Sequence, residues 1–451
     1  MLNFNQDDFA APISKFEAML KTNEVLFFDA QEFESIAQHY IDYGKLNLAD
    51  RALEIGMNQH PRNGELLLLK SEMLIFEGEF KKSLEIIEIA EQLVPQHEEI
   101  FLQKATIASK SKQHSEAVKY LNKALEFSED HEEIWRLLGM EFLVLEDFNS
   151  AKYYFQLCLD ADPLDYQSLY NLLYALEQLN DSTGAIETLN LLLEKDPYCE
   201  VAWHQLGKIY NAQNKLEEAI SAFEFAVISD DKFTGAYIEK GKILEKTGKI
   251  NMAIEYYHIA LQITDPSAFI YYRIATCHKI LGNDNLSIQF YEKAINTEPT
   301  FEKGWIAIID FYFLKRDFIS ALRFAQKAIE SNGDNSIITF KIGEVLFKLN
   351  KFSDAAFYFE SVIKLGNYDQ YIWNNLLDCL IILYRFNQAK NMVYKALEIY
   401  SDSPDFIFRL AIIEIKLGNT ELAKKHLNTI NKSMLNELFE NDLYSNFKNI
   451  V

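Results

Sequence analysis

Apolar side chains return along this chain in one spacing. In residues 203–223, Trp203, Leu206, Gly207 and Tyr210 are apolar or small, His204, Gln205 and Lys208 between them are polar, and Ala219 and Phe223 follow. Steps of three, four and seven put the first set on one face of a helix. Ala219 and Phe223 begin the face of a second helix. The same arrangement stands 68 residues earlier, at Trp135, Leu138, Gly139, Phe142, Ala151 and Phe155. The pattern predicts pairs of amphipathic helices, each pair unable to bury its apolar face without a neighbour.

The period is 34 residues. Trp135, Trp203, Trp305 and Trp373, all the tryptophans of the chain, are separated by whole multiples of it. Pro61, Pro95, Pro163, Pro197 and Pro299 keep the same beat. With tryptophan at the fourth position, the first repeat spans 30–63 and twelve repeats run without insertion to residue 437. Positions four, seven, eight and eleven share a face of the first helix. A small residue at eight lets the partner helix approach, and Gly139, Gly207, Gly241, Gly343, Ala37, Ala105, Ala275 and Ala411 fill that slot. Position twenty is alanine in ten repeats and serine at Ser83 and Ser287. Proline at position 32 ends the second helix, and Gly282 and Gly418 suit the turn between helices. Some repeats depart: Lys70, Lys104 and Lys240 stand where leucine is usual, and Leu173, Ile309 and Leu377 where a small residue is usual. These changes leave the architecture intact and local packing angles open.

The pattern W-x2-L-G-x2-Y, then A-x3-F, then P resembles the tetratricopeptide repeat, and the resemblance covers about nine-tenths of the chain. It implies an all-α superhelical solenoid of about twelve helix-turn-helix repeats, similar to long bacterial proteins built only of such repeats. Residues 1–29 form an N-terminal capping segment on this reading, with Ile13, Phe16, Met19 and Leu20 as an amphipathic strip and Asp29 and Glu32 as a helix start. Residues 438–451, carrying Leu438, Phe439, Leu443, Tyr444, Phe447 and Ile450, form a C-terminal one.

Charge narrows the partners. The formal net charge is −23, all of it within residues 1–233, which hold 42 acids and 19 bases. This argues against binding nucleic acid or an anionic membrane surface, since both need a basic face. The acidic half reads as a solvated, solubility-promoting face, or more sharply as one that repels one class of partner and steers a basic one. Residues 1–8 lack a basic, apolar leader pattern, and no stretch has the length of a membrane span. Cys158, Cys199, Cys277 and Cys379 are far apart and form no CxxC pair, as expected of a cytoplasmic protein with isolated thiols.

No catalytic constellation, metal site or cofactor motif emerges. Gly235 to Gly241-Lys242 has the wrong spacing for a phosphate loop, and Ile243 stands where Ser or Thr is needed. His97-Glu98-Glu99 and His131-Glu132-Glu133 lack the second histidine of a zinc helix and lie 34 residues apart, in equivalent turns. The chain reads as no enzyme. In the family it resembles, first helices line a groove through positions two, five, nine, twelve and thirteen. Those positions bring Tyr170 and Tyr174 from the fifth repeat, His204, Lys208 and Asn211 from the sixth, Lys242 from the seventh, and Tyr272, Thr276 and Lys279 from the eighth. Glu245 and Lys246 accompany them. Aromatic platforms with cations suit an extended protein or peptide carrying acidic residues or a free carboxylate. A second, apolar stretch is Phe313, Phe340, Phe347 and Phe408, for which packing is the simpler explanation. Co-chaperones of the family place Lys at position five and Asn at nine; the sixth repeat has His204 and Lys208 instead. The expected role is a non-catalytic interaction scaffold, with a regulatory or adaptor subunit and a peptide or small-molecule sensor as alternatives. The pattern specifies no oligomeric state.

Overall fold

The computed structural model describes residues 7–22, 26–333, 335–440 and 444, with side chains from residue 11 onward. It holds 26 α-helices and no strand among the described residues, an all-α fold. The chain divides into two compact parts, Met1–Pro197 and Tyr198–Val451. Within each, helices of 13 to 15 residues alternate in the predicted register. The last pair is shorter in its second helix, Thr420–Leu427, and a further helix, Lys432–Phe439, runs across the 437/438 limit.

One rule of the frame is backbone geometry. Position fifteen, in the turn inside each repeat, has a positive φ of 55–89° in all twelve repeats. Five are glycines (Gly44, Gly78, Gly248, Gly282, Gly418) and three are asparagines (Asn180, Asn214, Asn350), the residues that tolerate this region best. Lys112, Glu146, Arg316 and Tyr384 adopt it without that advantage.

A second rule is the close approach of position eight to position 24. A Cβ built on Gly207 would lie 2.6 Å from Phe223, and one on Gly139, Gly241 or Gly343 would be 2.6–2.7 Å from Phe155, Tyr257 or Phe359. Large rings opposite therefore exclude any side chain there. Where position eight is large, position 24 is small or medium in two cases, Ile309 with Ala325 and Leu377 with Val393. In the second repeat, Ser71 takes position eight and bonds Ser83 at position twenty, 2.8 Å apart and buried. The fifth repeat has no such compensation: Leu173 faces Leu189, and its helices Tyr166–Gln178 and Ser182–Lys195 pack less closely than other pairs.

The lysines at position seven follow one device. Each sends its stem across the helix interface and its ammonium to an acid on the preceding second helix: Lys70 to Asp50, Lys104 to Glu91 at 2.6 Å and Lys240 to Glu224 at 2.7 Å. The cation thus remains satisfied at a core position.

The N-terminal helix Asp7–Thr22 lays Phe16 and Met19 against Phe28, Phe33, Ile36 and Tyr40. Asp29 then starts the first repeat with a reciprocal capping box, its carboxylate accepting from the Glu32 amide at 2.7 Å while Glu32 accepts from the Asp29 amide at 2.9 Å. At the other end Phe439 and Tyr444 stand edge-on to Phe408, with ring centroids 5.1 and 5.3 Å away. Leu443, Phe447 and Ile450, and residues 1–6 of the leader reading, lie outside the described residues. Among the described residues no helix is long and apolar enough to cross a membrane.

Candidate partner-binding face

The first helices of repeats six to eight, Glu200–Ala212, Thr234–Lys246 and Ala268–Ile280, carry most of the residues singled out from the sequence. Their glycine or alanine at position eight is buried, so position nine, one step round the helix, stands at the edge of the packing face. Lys208 is exposed there and makes no ion pair or hydrogen bond with the described residues. Lys242 is partly neutralised: Glu239 accepts from it at 2.7 Å, and its ammonium sits 5.2 Å from the centre of the Phe269 ring. Lys246 donates to Asn214 at 2.9 Å. Asn211 and Lys279 are half-buried, with no bonding partner among the described residues.

His204 differs from a groove cation. Its ring lies 5.6 Å from Phe223 and 5.2 Å from Phe233, and both ring nitrogens are buried without a partner. Burial pulls its pKa down to about 4, with Lys208 and Lys242 adding to the shift and Glu239 opposing it. The imidazole is therefore neutral near pH 7, a weak acceptor in an aromatic slot. Tyr272 packs its ring 6.1 Å from Tyr291 and 5.7 Å from Phe301. Thr276 gives its hydroxyl to the Tyr272 carbonyl at 2.9 Å and lies 3.3 Å from the Tyr291 hydroxyl. These two shape the face more than they offer free polar groups.

Tyr170 and Tyr174 belong to the N-terminal part. Both are about half exposed, at 46% and 49%, and Tyr174 stands edge-on to Phe148. Phe313, Phe340 and Phe347 pack on Phe318, Phe359 and Phe352 with centroids 5.3–5.8 Å apart, and Phe408 is fully buried. Phe408 is core, and the other three are half-buried rings packed on their neighbours.

Residues at position six escaped the sequence reading. Arg273 donates to Glu245 at 2.7 Å and to the Tyr257 hydroxyl, which itself donates to Glu245 at 2.6 Å. Lys341 pairs with Asp310 at 2.9 Å, and Arg409 holds Asp378 through two bonds of 2.6 and 3.2 Å. The signal was present as an acid at position nine or twelve followed by a base 28 or 31 residues later. Asp378 also accepts from Tyr444, which closes over this pair.

The turn motifs are structural. The His97 ring accepts from the Glu99 amide at a helix start, and Gly241 lies under Tyr257. Cys277 and Cys379 are buried, which pushes each thiol up to about 12, with Glu245 and Asp378 adding to the respective shifts. Neither is a thiolate at neutral pH.

Two family models described as tetratricopeptide repeat match the chain, one at residues 136–198 and the other at 98–131, 201–227, 234–264 and 270–301. No curated protein sequence matches it. Among solved structures, MamA is 25% identical over 35% of this chain and 91% of its own, with a TM-score of 0.32. A tetratricopeptide repeat protein from Parabacteroides merdae is 16% identical, covering 54% of this chain and 97% of its own, with a TM-score of 0.39. YrrB, described as a TPR protein with an unusual peptide-binding site, is 17% identical over 44% of this chain and all of its own, with a TM-score of 0.37. The chain is a tetratricopeptide repeat protein.

Proposed function

We propose that this protein is a non-catalytic scaffold that binds a protein or peptide along the first helices of repeats six to eight. Lys208, Asn211, Lys242 and Lys279 supply donors to acidic side chains or a free carboxylate, while Tyr272, Thr276 and the neutral His204 shape the apolar bed. The observation that carries this reading is the free ammonium of Lys208. At the same position in repeats nine to eleven stand Asp310, Glu344 and Asp378, each engaged by Lys341 or Arg409. Lys208 keeps its donor uncommitted, whereas Lys341 and Arg409 of the later repeats, like Arg273 of the eighth, spend theirs internally. A rigid helical frame holds those donors in place, so little ordering cost falls on the receptor.

An array of acidic peptides with free C-terminal carboxylates tests the assignment, with affinities read by calorimetry on the full chain. Lys208→Glu with Lys242→Glu should weaken the best binder by about tenfold or more and flatten its salt dependence. Unchanged affinity in the double variant would sink the assignment. Tyr170→Ala and Tyr174→Ala measure separately whether the exposed tyrosines of the N-terminal part take part.

A further inference from the structure

The fifth repeat departs from its neighbours at position four. Eight repeats carry an aromatic ring there, packed in several of them on the repeat's own second helix. Trp203 stacks on Phe225 at position 26 of its own second helix, centroids 4.6 Å apart, and Phe101 stacks on Phe127, one turn further along its second helix, at 5.4 Å. The Trp305 indole N–H donates to the Pro299 carbonyl at position 32 of the preceding repeat, at 2.8 Å, and the Tyr237 hydroxyl donates to the equivalent carbonyl of Asp231 at 3.2 Å. In repeats seven and nine position four thus turns the polar edge of its ring toward the preceding turn, whereas the Trp373 indole N–H is buried without a partner.

In the fifth repeat that residue is Leu169, fully buried and too short to fill the slot. A pocket of about 130 Å³ remains. Its walls are Leu159 and Pro163 of the preceding repeat and Leu169, Leu191 and Leu192 of the fifth, with Gln156 and Thr188 as polar lining; Leu191 and Pro163 hold the positions of Phe225 and Pro299. Asp160 and Lys195 stand at the rim, and Leu191 is 57% exposed at the mouth. An enclosed apolar cavity of about 150 Å³ accepts a benzene ring; this slightly smaller pocket is open at its mouth, so it takes one ring of an indole with the other lying at the mouth. The surrounding part is strongly acidic, with 36 acids against 16 bases in residues 1–197.

We propose that this pocket receives a tryptophan side chain presented by a lysine- or arginine-bearing segment of a partner polypeptide. The partner's indole takes the place that Trp203 and Trp305 fill from within, burying its faces against Leu159, Leu169 and Leu192. Its N–H lies toward the Pro163 turn. Basic flanking residues meet the acidic surface, which raises the encounter rate and makes binding salt-dependent. This surface is separate from the one proposed for repeats six to eight, and neither depends on the other.

The test is calorimetry on the full chain with the capped peptide Lys-Lys-Trp-Lys-Lys, its alanine-centred counterpart and N-acetyl-tryptophanamide. The tryptophan peptide should bind saturably, about tenfold or more tighter than either of the others. Leu169→Trp fills the slot from within, as the sister repeats do, and should abolish that preference. Leu191→Lys changes only an exposed residue at the mouth, so the fold stays intact if the first variant fails to fold, and should weaken the peptide by a similar factor. Equal binding of the alanine peptide would reduce the interaction to charge alone and overturn the proposal. Binding of N-acetyl-tryptophanamide as tight as the peptide would replace the partner segment by a free aromatic molecule. Undiminished binding in Leu191→Lys would place the indole elsewhere.

Discussion

Repeats six to eight and repeats nine to twelve are built on one frame, yet they treat the same positions in opposite ways. At position nine the first group has Lys208, Lys242 and Thr276, and the second has Asp310, Glu344, Asp378 and Ile412. The later acids are bound by Lys341 and Arg409, and the last of these pairs is sealed beneath Tyr444. The apolar core does not divide at the same place: one cluster runs from Tyr237 in repeat seven to Tyr444. The difference shows that a repeat protein can turn an outward-facing position into structure by supplying the counter-charge from the next repeat. Where it does not, the side chain remains available to something else.

Arg409→Met should break this contrast most severely. It leaves the Asp378 carboxylate buried and facing only the Tyr444 hydroxyl, and losing one partner of a buried pair costs about 3–5 kcal/mol. The loss should appear in the denaturant midpoint and in faster hydrogen exchange across Lys432–Phe439. Adding Asp378→Leu should restore most of it, because a buried pair replaced whole by apolar groups is often neutral. Lys208→Met, which removes the unpaired cation at position nine of the sixth repeat, should shift stability by less than about 0.5 kcal/mol. Equal costs at the two sites would erase the distinction.

Gly207→Val and Gly343→Val test whether the frame itself is shared. Each inserts a branched side chain against a position-24 ring already within 2.7 Å of a bare Cβ, Phe223 in one case and Phe359 in the other. Overpacking of this kind costs about 1–3 kcal/mol. The two variants should lose similar amounts in thermal or denaturant melts, since the contact is the same. A large loss in one and none in the other would mean that the regions differ in packing as well as charge.

The frame was legible because it repeats: glycine at eight, alanine at twenty and proline at 32 each answer a steric need that recurs every 34 residues. The compensations were not. Ser71 reads as a mere departure until Ser83 is seen bonded to it, and Arg273 reads as one more surface base until Glu245 and Tyr257 converge on it. Such pairs lie 12 to 31 residues apart and no single-repeat pattern contains both members. His204 shows the same limit for the site. Spacing placed it on the outward face, but its charge state is set by Phe223 and Phe233, which the spacing does not weigh.

That charge state gives the middle repeats a pH signature. Folding lowers the pKa of His204 from 6.5 to about 4, so between those values the unfolded chain binds the proton and the folded chain does not. Stability contributed by the neutral ring is therefore present above about pH 6.5 and declines as pH falls toward 4. With solvent screening of a partly exposed ring, the total is on the order of 2 kcal/mol. His204→Phe keeps an aromatic group in the slot and removes the titration. The difference between wild-type and variant stability across pH 4–7 should slope in this direction; a flat difference would show that the ring is already solvated.

The smallest effect comes from a mirror exchange at position fifteen. Tyr384 in the eleventh repeat and Asn214 in the sixth both hold φ at 60°, the region that asparagine tolerates and tyrosine does not. Tyr384 is exposed, and its ring has only an edge contact with Phe386, centroids 5.9 Å apart. Tyr384→Asn should then relieve backbone strain and raise stability by about 0.5–1 kcal/mol. Asn214→Tyr should lower it by a somewhat larger amount, because it also removes the acceptor of Lys246. Opposite signs in the two melts would establish that the turn obeys one backbone rule in both regions, leaving the contrast between them to the side chains at position nine.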